Sequence, residues 1–190
     1  MKKILGCTSI RSDYDLLSPL YSKLNASDDF QLKLLVSGAH LSQSHNPDGN
    51  PAARDGLPML ASLETLLSSD STTSRIKSAS ILLQNSIEHI AKFEPDLIIF
   101  AGDREDVLIY AMLGGYLNIP TIHFYGGDHA ADGYIDNPIR HATSKLATFH
   151  FVSSEEHQKR LLSIGEAKER IRVVGSIALD RFNALPKRTI

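Results

Sequence analysis

Short apolar runs alternate with longer amphipathic segments along this chain, and that alternation restricts the fold more than any other feature. Runs of four or five apolar residues, such as Leu97–Ala101, are typical of strands buried on both faces of a parallel sheet. The segments between them repeat apolar residues every three or four positions, as helices packed on a sheet do. The clearest one, Thr73–Lys92, is ended by Glu94-Pro95-Asp96. This alternation predicts an α/β protein with a doubly wound parallel sheet.

The individual elements follow from the same pattern. Strands are predicted at Ile4–Cys7, Leu32–Val36, Leu97–Ala101, Pro120–Phe124, Thr148–Val152 and Ile171–Val174. Helices are predicted at Asp13–Leu24, Thr73–Lys92, Glu105–Leu117, Asn137–Leu146 and Ser154–Ile164. Ser12 and Asp15 resemble a short capping box for the first helix. The segment from Gly38 to Gly56 is predicted to be one long loop that is poorly ordered without ligand.

Composition limits the classes of partner. The chain has 190 residues, a formal net charge of -2 and a single cysteine, Cys7. Balanced charge gives no reason to expect a nucleic-acid partner, and one cysteine excludes an internal disulfide. The apolar run after Met1-Lys2-Lys3 is too short for a signal peptide, and no apolar segment is long enough to cross a bilayer. We therefore expect a cytoplasmic protein without a membrane partner.

Polar residues follow the third and fourth predicted strands at the points where those strands end. The loops at the carboxyl ends of parallel strands form the ligand crevice of an open α/β sheet. The side chains expected to converge there are Asp103, Arg104, Asp128, Asp136, Arg140 and His141. Acid, base and imidazole groups at one crevice indicate proton transfer on a polar substrate.

The aspartates also have ordinary structural interpretations. Asp103 lies where an aspartate commonly caps a helix. Asp128 and Asp132 are residues that stabilise turns, and Asp136 could cap the helix that carries Pro138. The residues alone leave the functional and structural interpretations of these side chains open.

Histidine spacing does not predict a metal site. His123, His129, His141 and His150 lie near aspartates, but their spacing matches no helical or cysteine–histidine ligand pattern. His123 and His150 fall within apolar runs, where a hydrogen-bonded core histidine is the commoner arrangement. We predict no bound metal.

The loops after the first two strands carry weaker indications. Arg11 could bind an anion such as a phosphate, or lie solvated in a surface loop. His40 and His45 are equally ambiguous. Neither a Gly-x-Gly-x-x-Gly string nor a P-loop follows the first strand, so the usual nucleotide fingerprints are missing and no cofactor is predicted.

A set of short strings, taken in order, resembles the amino-terminal half of the hydrolysing UDP-N-acetylglucosamine 2-epimerases of sialic-acid and related surface-sugar synthesis. The strings are T-S-I-R-S-D-Y at Thr8–Tyr14, S-G-A-H-L-S at Ser37–Ser42, G-D-R-E-D at Gly102–Asp106, N-I-P-T-I-H-F-Y-G-G-D at Asn118–Asp128 and D-N-P-I-R-H-A-T-S-K-L at Asp136–Leu146. Each string is short, but their order and spacing together are specific. The resemblance covers nearly the whole chain.

The resemblance implies a particular domain organisation. Members of this family have two Rossmann-like domains that face each other across a cleft, the GT-B arrangement. Residues 1–175 would form the amino-terminal domain. Gly175 and Asp180, in the string V-G-S-I-A-L-D at Val174–Asp180, resemble the family's crossing into its second domain. Residues 176–190 would begin that crossing into a carboxyl-terminal domain that is absent here. Members pair through this half, so the resemblance also implies a homodimer.

The resemblance further implies the chemistry. The C2 proton of UDP-N-acetylglucosamine is removed, UDP is eliminated, and water adds to the resulting 2-acetamidoglucal to release N-acetylmannosamine. Asp103 and Asp136 match two family carboxylates, and Asp128 follows the two glycines where other members have an acid. The predicted catalytic residues are Asp103, Asp128 and Asp136. The predicted substrate contacts are Arg11, His40, Arg104, Arg140 and His141. The chain alone is expected to be inactive, because half a cleft does not orient the diphosphate.

The chain departs from the family pattern at two places. Ser9-Ile10-Arg11 stands where the family commonly has Gly-Thr-Arg, and Tyr125 stands where part of the family has a glutamate. These differences leave the exact sugar and nucleotide open. Two other functions also remain: the amino-terminal domain of a GT-B glycosyltransferase, and a non-catalytic flavodoxin-like binding module. Fold alone does not choose among the three.

Overall fold

The protein folds around a seven-stranded parallel sheet, seen in a computed structural model that describes residues 1–69 and 71–180. The strands are β1 (Lys2–Thr8), β2 (Phe30–Ser37), β3 (Met59–Leu63), β4 (Leu97–Ala101), β5 (Thr121–Phe124), β6 (Phe149–Val152) and β7 (Ile171–Val173). Their order in the sheet is β3-β2-β1-β4-β5-β6-β7, and every neighbouring pair is parallel. The predicted doubly wound sheet is confirmed.

Helices connect the strands on both faces of the sheet. They are α1 (Arg11–Asn25), α2 (Pro51–Arg54), α3 (Thr72–Phe93), α4 (Glu105–Tyr116), α5 (Asp136–Leu146) and α6 (Glu155–Ser163). One core lies between α1 and the sheet, where Leu17 and Tyr21 pack with Leu34. The other lies beneath α3 and α4, where Leu82 and Tyr110 are fully buried. Each such aliphatic side chain contributes about 1.5–3 kcal/mol on burial.

Glycine at position 6 allows α1 to approach the sheet closely. A Cβ atom at Gly6 would lie 2.5 Å from Leu34 Cδ2 and 2.6 Å from Tyr21 Cε1. Both neighbours are buried, so neither side chain has room to move away. This contact sets the distance between the middle of α1 and β1. The first turn of the same helix forms one wall of the site described below.

The first helix begins earlier than the sequence predicts. Its first residue is Arg11, and the Asp13 carboxylate accepts hydrogen bonds from the backbone amides of Ser9 (2.9 Å) and Ile10 (3.3 Å). Asp13 therefore satisfies amides that the helix leaves unpaired at its N-terminus. The capping box assigned to Ser12 and Asp15 was wrong, because the helix already includes both residues.

The segment from Gly38 to Gly56 is not the continuous loop that the sequence predicts. It opens with a 3-10 turn at Gly38–Leu41 and closes with α2. At the start of α2, the Ala52 amide donates a hydrogen bond to the side-chain oxygen of Asn50 (3.0 Å). His40, Pro51 and Ala52 are buried. The prediction of one long loop was therefore wrong, because local capping and a few buried contacts organise this segment.

Strand β3 was also missing from the sequence prediction. It lies at one edge of the sheet and pairs with β2, with an irregular register near Leu34 and Leu35. Its sequence, Met59–Leu63, has no β-branched residue and is mostly exposed or half-buried. Such an edge strand is defined by pairing with β2, and it has little propensity of its own.

The strand order reverses between β1 and β4. β1 pairs with β2 on one side and with β4 on the other, so the chain leaves these two strands in opposite directions. Loops that diverge in this way open a crevice at the carboxyl ends of the strands. Within the described ranges, no helix is long and apolar enough to cross a membrane.

Candidate functional site

A cavity of about 400 Å³ opens at this reversal point, at the carboxyl ends of β1, β4, β5 and β6. Its polar lining includes Asp13, Asp103, Arg104, Asp128, Arg140 and Ser176. The first turn of α1 supplies one wall, and the loops after β4 and β5 supply the other. The cavity therefore lies where the topology of a doubly wound sheet predicts a ligand.

Asp103 and Arg140 form an ion pair in the wall of the cavity. The Arg140 Nη2 group donates to the Asp103 carboxylate, and Nη1 donates to the backbone carbonyl of Tyr125 (2.9 Å). The Arg140 side chain is 7 % exposed and that of Asp103 is 26 % exposed. The guanidinium is thus fixed by two acceptors, and Asp103 keeps part of its surface open to the cavity. Asp103 does not cap α4, because the residue before that helix is Arg104.

His123 forms hydrogen bonds with residues that neighbour each member of this pair. Its Nε2 group donates to the Gly102 carbonyl (2.8 Å), and its Nδ1 atom accepts from the Ser144 hydroxyl (3.0 Å). Gly102 precedes Asp103, and Ser144 lies one turn after Arg140 on α5. Burial lowers the pKa of His123 to about 3, so the imidazole is neutral at physiological pH. The expectation that His123 and His150 are buried core histidines is confirmed, since both are fully buried.

Asp128 lines the opposite part of the cavity. Its carboxylate accepts a hydrogen bond from the His129 amide (2.8 Å), and His157 Nε2 of α6 lies 3.4 Å from Asp128 Oδ1. The Asp128 side chain is 45 % exposed and that of His157 is 17 % exposed. A lining carboxylate thus has an imidazole beside it.

Tyr125 lies at the position where the resemblance described above implies an acid in some members, and its hydroxyl contacts residues that follow β7. Tyr125 has a left-handed backbone conformation, with φ of 62°, at the turn between β5 and the two glycines that follow. Its hydroxyl lies 3.3 Å from the Ser176 hydroxyl and accepts from the Ala178 amide at 3.3 Å. The Tyr125 hydroxyl therefore connects the end of β5 with residues 176–178, which lie beside α1.

The predicted contact His40 lies behind the cavity wall. Its Nε2 atom is 2.8 Å from the Thr8 hydroxyl and 3.7 Å from Asp13 Oδ1, and the side chain is fully buried. Thr8 in turn donates to Asp13. In this arrangement His40 supports the loop that carries Asp13, and its predicted contact with substrate stays a prediction that requires the loop to move.

Asp136 lies beside the cavity without lining it in the described part of the chain. It begins α5 and is 3.5 Å from Arg75, which also donates to Glu105 at 2.7 Å. Arg75 and Glu105 line a neighbouring cavity of about 390 Å³, and Arg104 lines both cavities. Burial and the nearby Glu105 carboxylate raise the pKa of Asp106, in this second cavity, to about 6.

Arg11 and His141 also lie outside the cavity lining, as far as the described residues show. The Arg11 side chain is 83 % exposed and lies 3.6 Å from Asp15, one turn further along α1. Burial and the adjacent Arg140 guanidinium lower the pKa of His141. Residues 1–69 and 71–180 contain no group of three or more side chains arranged to hold a metal ion.

The structure thus brings together four of the predicted site residues: Asp103, Arg104, Asp128 and Arg140. Sequence reasoning missed three further polar groups around them, which are Asp13, Ser176 and His157. Asp13 was visible as part of the T-S-I-R-S-D-Y string, and Ser176 lay in the string that follows β7. His157 had no sequence signal, since it lies near Asp128 only because α6 packs on the loop after β5.

Comparison with known proteins places these features in one family. The model of the family described as UDP-N-acetylglucosamine 2-epimerase matches residues 22–189. The UDP-N,N'-diacetylbacillosamine 2-epimerase (hydrolyzing) of Legionella pneumophila is 32 % identical over 96 % of this chain and 48 % of its own length. The GDP/UDP-N,N'-diacetylbacillosamine 2-epimerase (hydrolyzing) of Campylobacter jejuni is 30 % identical over 100 % of this chain and 50 % of its own length.

Solved structures share the fold. The UDP-GlcNAc 2-epimerase of Neisseria meningitidis, solved with UDP-GlcNAc bound, superposes with a TM-score of 0.81 at 18 % identity. The match covers 96 % of this chain and 49 % of that one, so the fold is that of one half of a GT-B-type enzyme. The chain spans about half the length of the curated relatives it matches. On the family match and these relatives, the chain belongs to the UDP-N-acetylglucosamine 2-epimerase family.

Proposed function

We propose that this chain is the amino-terminal half of a hydrolysing UDP-sugar 2-epimerase. The substrate would be a UDP-linked 2-acetamido sugar such as UDP-N-acetylglucosamine, with UDP and the free 2-epimer as products. The observation that supports this proposal most is the cavity of about 400 Å³ at the strand reversal, whose lining includes Asp103 and Asp128. A second half, joined after the proposed crossing at residues 176–190, would complete the cleft; residues 181–190 of that crossing lie outside the described residues.

The reaction needs a group that removes the C2 proton and a group that protonates C2 when water adds across the double bond. The carboxylates Asp103, Asp128 and Asp136 are the proposed catalytic residues. Asp103 suits a fixed acid–base role, because Arg140 holds it in place and part of its surface faces the cavity. Asp136 would join only if the loop after β5 draws closer to the cavity on binding. Arg140 and Arg104, with His141, Arg11 and His40, are the proposed substrate contacts.

A second candidate substrate is UDP-N,N'-diacetylbacillosamine, a sugar with an acetamido group at C4 and a methyl group at C5. The two relatives described above carry names that specify this sugar. The cavity lining also includes the apolar residues Ile10, Leu16 and Val107, and an apolar surface suits a methyl group better than a hydroxymethyl group. The reaction would be the same with either sugar.

Product analysis tests the proposal. A two-domain form, in which this chain is followed by a carboxyl-terminal half of the kind found in its relatives, is incubated with each UDP-sugar separately. We expect free UDP and one free 2-epimer in equal amounts, with a higher kcat/KM for one of the two sugars. Transfer of the sugar to an added acceptor, with C2 unchanged, would instead identify a glycosyltransferase. UDP-sugar binding without any product would favour a binding module.

We also propose a homodimer that forms through α3 and α4. Ile76 and Ile87 on α3 and Tyr116 at the end of α4 are exposed. Exposing large apolar surface to water is unfavourable, so such a surface is typical of a protein–protein interface. Light scattering at high concentration should give the mass of a dimer, and Ile76→Lys should shift it towards the monomer. A mass that stays monomeric at every concentration would contradict this interface.

The proposed cellular setting follows from the proposed reaction. We infer that the enzyme acts in the cytoplasm, in sialic-acid or related surface-sugar synthesis. The buried free thiol of Cys7 is compatible with a reducing compartment. Fractionation of cells that express the protein tests this placement, since recovery outside the cytoplasmic fraction would contradict it.

A further inference from the structure

The first turn of α6 packs directly on the loop that carries Asp128. Gly127 has a left-handed backbone, with φ of 73°, and a Cβ atom there would lie 2.3 Å from the backbone oxygen of His157. Arg160, one turn further along α6, donates to the Gly127 carbonyl at 3.1 Å. Glycine at position 127 therefore allows a contact that no other residue would fit, and that contact sets the distance between α6 and Asp128.

His157 is held firmly within this contact. Ser154 caps α6, and its hydroxyl oxygen accepts a hydrogen bond from the backbone amide of His157 (3.3 Å). The imidazole is mostly buried, and its Nε2 atom lies 3.4 Å from Asp128 Oδ1. The cap thus fixes the backbone of His157, and the mostly buried imidazole presents its Nε2 atom to the carboxylate.

Asp128 has little other support. Its carboxylate accepts the amide of the next residue, His129, and nearly half of the side chain is exposed. An exposed aspartate with only a local hydrogen bond samples several rotamers. A partner on a different element of the fold restricts that freedom, and His157 supplies it from α6.

We propose that His157 is a positioning residue that holds the Asp128 carboxylate in the lining of the cavity for proton transfer. This inference rests on the proposed function. It also explains how the chain manages with Tyr125 where part of the family has an acid: the acidic role moves to Asp128, and α6 fixes that residue. His157 acts through Asp128 and does not itself touch the substrate.

Nuclear magnetic resonance on this chain tests the contact directly. The imidazole nitrogens of His157 are observed in the wild type, in Asp128→Asn and in the matched control Asp132→Asn, which alters an exposed aspartate of the same loop. We expect Asp128→Asn to shift the His157 Nε2 resonance and Asp132→Asn to leave it in place. Equal shifts in both variants, or none in either, would overturn the contact.

Kinetics of the two-domain form test the positioning role. His157→Leu should lower kcat by about 10–100-fold with little change in KM, since misplacing a catalytic group costs up to about 100-fold. His157→Gln keeps a donor near the Nε2 position and should recover most of the loss. Lys159→Gln, an exposed substitution on the same helix, is the control. A loss in His157→Leu that Gln does not recover, or that appears only in KM, would overturn the role.

A double variant separates positioning from general destabilisation. If His157 acts only through Asp128, the Asp128→Asn/His157→Leu double variant should be no slower than Asp128→Asn alone. Losses that multiply would contradict the proposal. A wild-type two-domain form that releases no UDP would refute the proposed function, whereas the resonance measurement on this chain still decides whether His157 holds Asp128.

Discussion

Replacing Arg140 by Met tests the ion pair that organises the cavity. Methionine keeps the apolar stem of the side chain but removes both donors, so Asp103 and the Tyr125 carbonyl lose their partner together. Breaking a buried ion pair costs about 3–5 kcal/mol, and the partial exposure of Asp103 reduces this to about 2–3 kcal/mol. An unpaired buried carbonyl adds about 1 kcal/mol or more. We therefore expect the free energy of unfolding to fall by about 3–4 kcal/mol in total.

Urea denaturation of this chain, followed by far-ultraviolet circular dichroism, measures the change. Arg104→Met is the matched control, because Arg104 lines the same cavity but is more exposed, and within residues 1–69 and 71–180 its ion pair is with its neighbour Glu105, at 3.5 Å. That variant should lose less than about 1 kcal/mol. A loss in Arg140→Met below about 1 kcal/mol, or equal losses in the two variants, would refute the reasoning.

Three further outcomes follow from the same structure. The pKa of His123 is about 3 in the folded chain against an ordinary value of 6.5, so between these values only the unfolded chain binds the proton. The stability of the chain should therefore fall as the pH drops from about 6.5 towards 3. His123→Gln should weaken the pH dependence of the urea midpoint across that window, and an unchanged dependence would contradict the burial argument. The pKa of Asp106 is raised from 3.8 to about 6, so the folded chain binds the proton more tightly and the charged form destabilises it. Asp106→Asn should therefore stabilise the chain by about 1–2 kcal/mol at pH 7, and this gain should disappear as the pH falls below 3.8. Destabilisation at pH 7 would show that the carboxylate has a favourable partner. The 190-residue chain alone should release negligible UDP from UDP-N-acetylglucosamine in a coupled assay, because orientation across a cleft supplies several kcal/mol of catalysis, and robust turnover would overturn the two-domain proposal.

The positions of β4 and β5 and of the residues after them could be predicted because local pattern and topology agree there. Each strand is a continuous apolar run that ends in a polar loop, and parallel strands bring their carboxyl ends to one edge. The meeting of Asp103 with Asp128 and Arg140 follows from that geometry. Strand β3 was not predictable in the same way, because pairing with β2 defines it rather than its own residues.

Contacts between distant elements set the remaining features of the site. Asp136 follows Asp128 by eight positions, and its pairing with Arg75 depends on how α3 and α5 each pack against α4. His157 reaches Asp128 because Gly127 admits the backbone of α6. His40 carries no mark in the sequence that separates a substrate contact from a buried support for Asp13. Each of these depends on tertiary packing, which residue patterns do not specify.

The most direct test of the central claim follows the hydrogen at C2. The two-domain form and its Asp103→Asn variant react with UDP-N-acetylglucosamine in deuterated water, and mass spectrometry with proton resonance locates any deuterium in the sugar. The wild type should release UDP and a 2-epimer that carries one deuterium at C2. Asp103→Asn should lose about 10²–10⁴-fold in turnover while its affinity for UDP stays the same. A product that keeps its original hydrogen at C2, or near-normal turnover by Asp103→Asn, would contradict the account.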